Sequence, residues 1–149
     1  MSDDRIETMQ NKQNIFGLSP EQLKAITAEL GLPKFTATQI ADWLYKKRVQ
    51  SIDEMTNLSK NARQLLNEKY FVGLIPPSKV QESKDGTKKY LYPTNQAGKF
   101  IEAAYIPDEE RATLCVSTQI GCKMGCLFCM TGKQGFQGNL TAGEIVNQI

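Results

Sequence analysis

Apolar residues in the first half of the chain recur at intervals of three and four, the spacing of one face of an α-helix. Over residues 19–30 the stripe is Leu23, Ile26 and Leu30, with the methyl group of Thr27 at its edge. Ser19 is positioned to cap this segment, Pro20 suits the first helical position, and Gln22 completes a capping box. Gly31 and Pro33 end the helix. A second helix is predicted over 36–48, capped by Thr36 with support from Gln39. It turns Ala37, Ile40, Ala41 and Leu44 inward, and Trp43 closes the edge. A short helical piece over 52–58 follows, then a third helix over 60–70 capped by Ser59. Ala62, Leu65 and Leu66 give that helix a buried face, which Phe71 extends. Short helices on short loops predict one helical module over 15–75, behind a flexible N-terminus over 1–14.

The period then drops to two. Residues 80–92 read as a hairpin turning at Asp85 and Gly86. Residues 100–106 alternate as a third strand, which puts Glu102 and Ala104 on one face and Ile101 and Ala103 on the other. The turn DEER leads into a fourth strand, RATLCVS, with Cys115 near its end. A glycine-bearing loop follows, then a helix capped by Thr141 with Glu144 in support. Strand, reactive loop, helix is the order in which α/β folds carry sites beyond the carboxyl ends of their strands, so the expected fold class is α/β. The last helix has barely two turns when the sequence stops at Ile149, which points to the N-terminal piece of a longer protein.

Composition narrows the setting. The chain has 149 residues, 40% apolar and 23% charged, as in a soluble globular protein. It contains no apolar run long enough for a bilayer and no signal-peptide pattern near its start. An intracellular setting is the expectation, and it disfavours two structural disulfides among four cysteines. A net charge of +2 makes a bulk electrostatic case for nucleic acid weak. Histidine is absent, which excludes imidazole as acid, base or ligand within this stretch.

The chemistry lies in CVSTQIGCKMGCLFC, where all four cysteines fall inside fifteen residues. Three residues separate Cys122 from Cys126 and two separate Cys126 from Cys129, while Cys115 stands seven positions before Cys122. Three thiolates at this spacing can hold three irons of a four-iron cluster and leave the fourth open for chemistry. A zinc site with Cys115 as fourth ligand is an alternative. Redox cysteines, or cysteines buried as small apolar residues, are another.

The triplet CxxxCxxC resembles the radical S-adenosylmethionine signature. The wider stretch RATLCVSTQIGCKMGCLFCMTGKQGF is similar to the dual-specificity RNA methyltransferases that act on carbon 2 of adenosine in 23S ribosomal RNA and transfer RNA. FTATQIADWLYKKRVQSIDEMTNLSKNARQLLNEKY resembles that family's small helical accessory domain, and SKDGTKKYLY and IEAAYIPDEERATLCVS resemble its linking strands. The likeness covers nearly the whole chain after about residue 16. It implies an accessory domain over 15–75, a linking β-hairpin over 76–93, and the truncated start of a partial (β/α) barrel over 94–149. A sister family acting on carbon 8 of the same ribosomal adenosine is an alternative. A non-catalytic RNA-binding domain with a bound metal is another.

The resemblance implies a [4Fe–4S] cluster on Cys122, Cys126 and Cys129, with S-adenosylmethionine at the open iron and an external electron donor. Carbon 2 of adenine is not a nucleophile, so methylation there needs radical chemistry, which cofactors supply. In the family, a 5′-deoxyadenosyl radical takes hydrogen from a methyl group carried on a cysteine further along the chain. The resulting radical adds to adenine and forms a protein–RNA adduct. Glu102 matches the glutamate that removes the carbon-2 hydrogen, and Cys115 matches the thiol that forms a disulfide with the methyl-bearing cysteine. From the residues alone, a solvent-facing Glu102 and a buried strand Cys115 remain open. Candidate RNA contacts are Lys46, Lys47 and Arg48, for which ordinary charge at a helix C-terminus is an equal alternative, and Lys84, Lys88 and Lys89 around the hairpin turn, while Lys123 and Lys133 are candidates for substrate or cofactor anions near the loop. A cytoplasmic enzyme, monomeric when full length, is the expectation.

Overall fold

The computed structural model describes residues 11–149. The chain divides into two compact units, Met1–Leu74 and Ile75–Ile149. The expected flexible N-terminus falls outside the described residues over 1–10, and Gln13–Asn14 form a short strand, β1.

In the first unit, α1 spans Pro20–Glu29. The Ser19 hydroxyl accepts from the Gln22 N–H at 3.3 Å and the Gln22 carbonyl Oε1 accepts from the Ser19 N–H at 2.8 Å, which completes the reciprocal cap. Leu23 is fully buried. Thr27 is buried as well, inside the stripe rather than at its edge; its hydroxyl donates to the Lys24 carbonyl at 3.0 Å, so no polar group is left unsatisfied.

The second helix departs from the sequence expectation. Helix α2 spans Lys34–Ala41 and starts after Pro33, not at Thr36. Thr36 lies within the first turn and is buried. Pro33, at φ −56° and ψ 147°, already directs the chain into the helix, so a threonine cap is not needed. The helix does not run straight to Arg48. It widens into a π-helical turn, Asp42–Lys46, where the Lys47 N–H reaches back to the Asp42 carbonyl at 3.1 Å. The wide turn leaves Leu44 fully buried and lets the Trp43 indole N–H donate to the Asn57 side chain.

A 3₁₀ turn, Ile52–Glu54, precedes α3, Lys60–Lys69, whose cap Ser59 accepts from the Ala62 N–H at 3.1 Å. Strand β2, Tyr70–Phe71, pairs parallel with β1. Tyr70 and Val72, rather than Phe71, continue the buried face of α3. Ile15, Leu23, Ile40, Leu44, Ile52, Met55 and Leu66 form the core of this unit.

The second unit is built on an antiparallel meander. Its strands are β3 (Lys79–Glu82), β4 (Lys88–Pro93), β5 (Phe100–Pro107) and β6 (Ala112–Cys115), in that order across the sheet. Gly86, at φ +82°, makes the β3–β4 turn, and Asp85 accepts from the Thr87 N–H at 3.1 Å. The hairpin and the strand bearing Cys115 therefore share one sheet. A second ladder joins β7 (Gln119–Ile120) to β8 (Gly138–Asn139). Two short helices follow the cysteines, α4 (Met130–Lys133) and α5 (Ala142–Val146), the latter capped by Thr141 and Glu144 as the sequence predicts.

Tyr92, Ile101, Ala103, Ile120 and Leu140 form the core, with Tyr90 and Ile145 packed against it. Residues after α5 tie the unit together. The Asn147 side chain bonds both backbone groups of Ile75 at 3.0 and 2.7 Å. The Gln148 side chain bonds both backbone groups of Ser117 at 2.8 Å each. The fold is α/β, helices first and a sheet after them; among the described residues the sheet is open and no closed barrel is formed.

Candidate active site

The β7–β8 ladder closes the neck of the cysteine loop. Beside the two paired positions, the Gln137 N–H donates to the Ile120 carbonyl at 2.8 Å and the Leu140 N–H to the Thr118 carbonyl at 3.0 Å. Gly121 stands in this neck at φ +71°, where a β-carbon would overlap the Gly135 carbonyl oxygen, so the chain crossing admits only glycine.

Inside the loop the Cys129 N–H donates to the Cys126 carbonyl at 3.1 Å, and the Lys133 N–H to the Cys129 carbonyl at 3.1 Å. Cys129 therefore sits at the start of α4. The Gly132 backbone N–H, with smaller help from Thr131, holds the Cys129 thiol below the ordinary cysteine range, against partial desolvation. The Cys122 sulfur accepts from the Met124 N–H at 3.4 Å. Cys122, Cys126 and Cys129 are all half-buried and free of disulfides. Among the described residues no three cysteine or carboxylate side chains converge closely enough to hold a metal.

The donor chemistry still suits an iron–sulfur group. Three soft thiols lie on one closed loop, and backbone N–H groups already point at two of the sulfurs. Cys115 stands outside that loop, at the end of β6. Around the loop, Met124, Leu127, Phe128 and Met130 are exposed.

The sheet brings together the other two candidates. Cys115 lies opposite Ala104 in the β5–β6 register, and Glu102 is two residues from Ala104 on the same strand. Directly opposed residues of antiparallel strands share a face, and so do alternate residues of one strand. Glu102 and Cys115 are thus diagonal neighbours on one face, with Cα atoms about 7–8 Å apart. That face is turned away from the core formed by Ile101 and Ala103. Both side chains are exposed, so Cys115 is not the buried strand residue that its sequence left open. The Lys89 ammonium lies 3.4 Å from the Glu102 carboxylate. The Ser117 hydroxyl donates to the Glu102 carbonyl at 2.7 Å and fixes the segment after Cys115 against β5. The Ser117–Gln148 clamp was not singled out from sequence, because two polar residues 31 positions apart give no local signal.

Most of the predicted RNA-contact cations have partners within the chain. Lys46 pairs with Asp42 at 2.8 Å, Lys47 lies over the Trp43 ring at 3.4 Å, and Arg48 lies 5.8 Å from the Phe16 ring. Lys88 pairs with Glu82 at 3.8 Å, and Lys123 lies over the Phe136 ring at 4.3 Å.

Residues 13–72 match the family described as the ribosomal RNA large subunit methyltransferase N-terminal domain. A probable dual-specificity RNA methyltransferase RlmN from Parabacteroides distasonis is 55% identical over 95% of this chain and 41% of its own length. One from Staphylococcus aureus is 47% identical over 93% of the chain and 38% of its own length. The chain belongs to the RlmN-like radical S-adenosylmethionine RNA methyltransferase family. A crystal structure of a radical SAM methyltransferase from Sphaerobacter thermophilus superposes with a TM-score of 0.81, at 36% identity, over 91% of this chain and 40% of that one. The chain spans about two fifths of the length of the curated relatives it matches. Within the family match, residues 13–72 fall in the first compact unit, while the cysteine loop, Glu102 and Cys115 lie in the second.

Proposed function

We propose that this chain is the N-terminal part of an enzyme that methylates carbon 2 of adenine in 23S ribosomal RNA and transfer RNA. The observation that carries the reading is the placement of Glu102 and Cys115 on one sheet face, just before a closed loop with three cysteines at radical SAM spacing. Relatives described as probable dual-specificity RNA methyltransferases, about half identical to it, support the substrate class. In this reading residues 15–75 form the accessory domain, 76–93 the linking hairpin, and 94–149 the start of the catalytic barrel. In this reading the protein works in the cytoplasm as a monomer. Among the described residues no helix is long and apolar enough to cross a membrane.

Cys122, Cys126 and Cys129 would hold a [4Fe–4S] cluster that leaves a place for S-adenosylmethionine. When bound, these groups and an external electron donor supply the radical chemistry that an unreactive carbon requires. The chain's own residues do the rest. The Gly132 N–H at Cys129 favours the thiolate form that a ligand needs, and the Met124 N–H donates to the Cys122 sulfur. The Glu102 carboxylate takes the proton from carbon 2 of the methylated adduct, and Lys89 keeps a positive charge beside it. The Cys115 sulfur attacks the sulfur of a second cysteine, forming a disulfide as the bond to the RNA breaks; an external thiol then restores both cysteines.

The test is a product map. The full-length enzyme, reconstituted anaerobically, is incubated with a 23S ribosomal RNA fragment and with transfer RNA, and nucleosides are separated by mass spectrometry. 2-Methyladenosine from both substrates is the expected result. 8-Methyladenosine, or no methylated adenosine, would overturn the reading.

A further inference from the structure

The helical unit carries a cleft of about 540 Å³ between α1 and the start of α2, lined by Lys24, Thr27, Ala28, Leu32 and Lys34. No carboxylate lines it. Thr27 contributes little polarity, because its hydroxyl is spent on the Lys24 carbonyl. The two lysines are exposed, and neither is in an ion pair among the described residues. They contrast with Lys46 and Lys47, which are held by Asp42 and Trp43. Leu32 is also a wall of the adjoining groove, which Phe35 lines. Phe35 is 64% exposed.

A lone exposed phenylalanine is ordinary. One in a groove that adjoins a cleft with two lysines outside any ion pair, neither lined by a carboxylate, is the combination that binds unpaired nucleic acid, where cations follow the phosphates and a ring stacks a base. An acidic peptide would satisfy the lysines but would make no use of the ring.

We propose that this cleft and the adjoining groove together form a docking surface for RNA, with Lys24 and Lys34 of the cleft on backbone phosphates and Phe35 of the groove stacking an unpaired base. The inference rests on the RNA reading above and adds the place where the helical unit meets the substrate. The test is fluorescence anisotropy of the 149-residue chain with a labelled RNA stem-loop and with a fully paired RNA of equal length. Salt is varied over about 50–200 mM. Lys24→Ala/Lys34→Ala should weaken stem-loop binding roughly tenfold and lower the logarithmic salt slope by about 1.4–1.8. Lys24→Arg/Lys34→Arg should keep the slope. Phe35→Ala should cost about fivefold or more on the stem-loop and little on the duplex, and Phe35→Trp should restore it. Because all three side chains are exposed, the helical circular dichroism of each variant should match the parent.

Three outcomes would overturn the proposal: parental affinity and slope in the double alanine variant, an equal loss on stem-loop and duplex for Phe35→Ala, or no RNA binding by the chain. The methylation map fails separately. An enzyme that makes 2-methyladenosine while Lys24→Ala/Lys34→Ala binds as before refutes only the cleft. One that binds through the cleft and makes no 2-methyladenosine refutes only the activity.

Discussion

Glu102 and Cys115 sit on one face of β5 and β6, yet they should fail at different steps when removed. With Cys115→Ala the RNA adduct forms and has no thiol to release it. Denaturing gels of the full-length variant with substrate RNA should show a retained protein–RNA band; parental turnover with no band would remove Cys115 from the chemistry. With Glu102→Ala proton removal stalls, and turnover should fall by about 10²–10⁴-fold, the usual contribution of a general base. A carbon-2 deuterated adenosine should then show an isotope effect on the release step in the parent enzyme. Parental turnover by Glu102→Ala would return that residue to a surface ion pair with Lys89, which alone is worth about 1 kcal/mol or less. The alternation in FIEAAYI already separates Glu102 from the core-facing Ile101 and Ala103. That Cys115 shares its face could not be read from either strand, because it depends on the register that pairs Cys115 with Ala104.

Among the elements, local signals were legible wherever the hydrogen bonds are local. Ser19, Ser59 and Thr141 cap their helices as the sequence indicates, and Asp85 with Gly86 turns the hairpin. Thr36 misled because Pro33 offers a different start, and the π-turn at Asp42–Lys46 has no sequence signature of its own. The antiparallel sheet follows from the hairpin signals, whereas the loop neck depends on the pairing of Gln119 with Asn139, twenty residues away.

Two predictions belong at this scale. Gly121→Ala should open the neck: the positive φ alone costs about 1–3 kcal/mol, and the new methyl group collides with Gly135. Iron retention by the reconstituted full-length variant should drop sharply; parental retention would show that the neck does not shape the loop. The second concerns acid. The Thr87 N–H, then the Thr87 hydroxyl, holds the Asp85 carboxyl below its ordinary value. The folded value lies below an unfolded one of about 3.9. The stabilisation is therefore complete above the unfolded value and is lost as pH falls through the folded value. The Thr87 amide resonance should hold steady from neutral pH to about 5 and move below that, and Asp85→Asn should abolish the movement. The same acid-induced movement in Asp85→Asn would assign it elsewhere.

In the whole molecule, the two compact units carry different groups. The first holds the cleft proposed to dock RNA and the match to a ribosomal RNA methyltransferase N-terminal domain. The second holds the thiols, Glu102 and Cys115. It is held at its end by Asn147 on Ile75 and Gln148 on Ser117. Spacing revealed the triplet and the outlying cysteine directly; the amide hydrogen bonds at Cys122 and Cys129 required the folded loop. The three loop cysteines are proposed to form one metal site from which Cys115 stands apart. Iron and acid-labile sulfide analysis of the anaerobically reconstituted full-length enzyme tests it most directly. The parent and Cys115→Ala should each carry roughly four irons and four sulfides, and Cys122→Ala, Cys126→Ala and Cys129→Ala should carry almost none. Stoichiometric zinc in the parent, lost on changing Cys115 to alanine, would contradict the account.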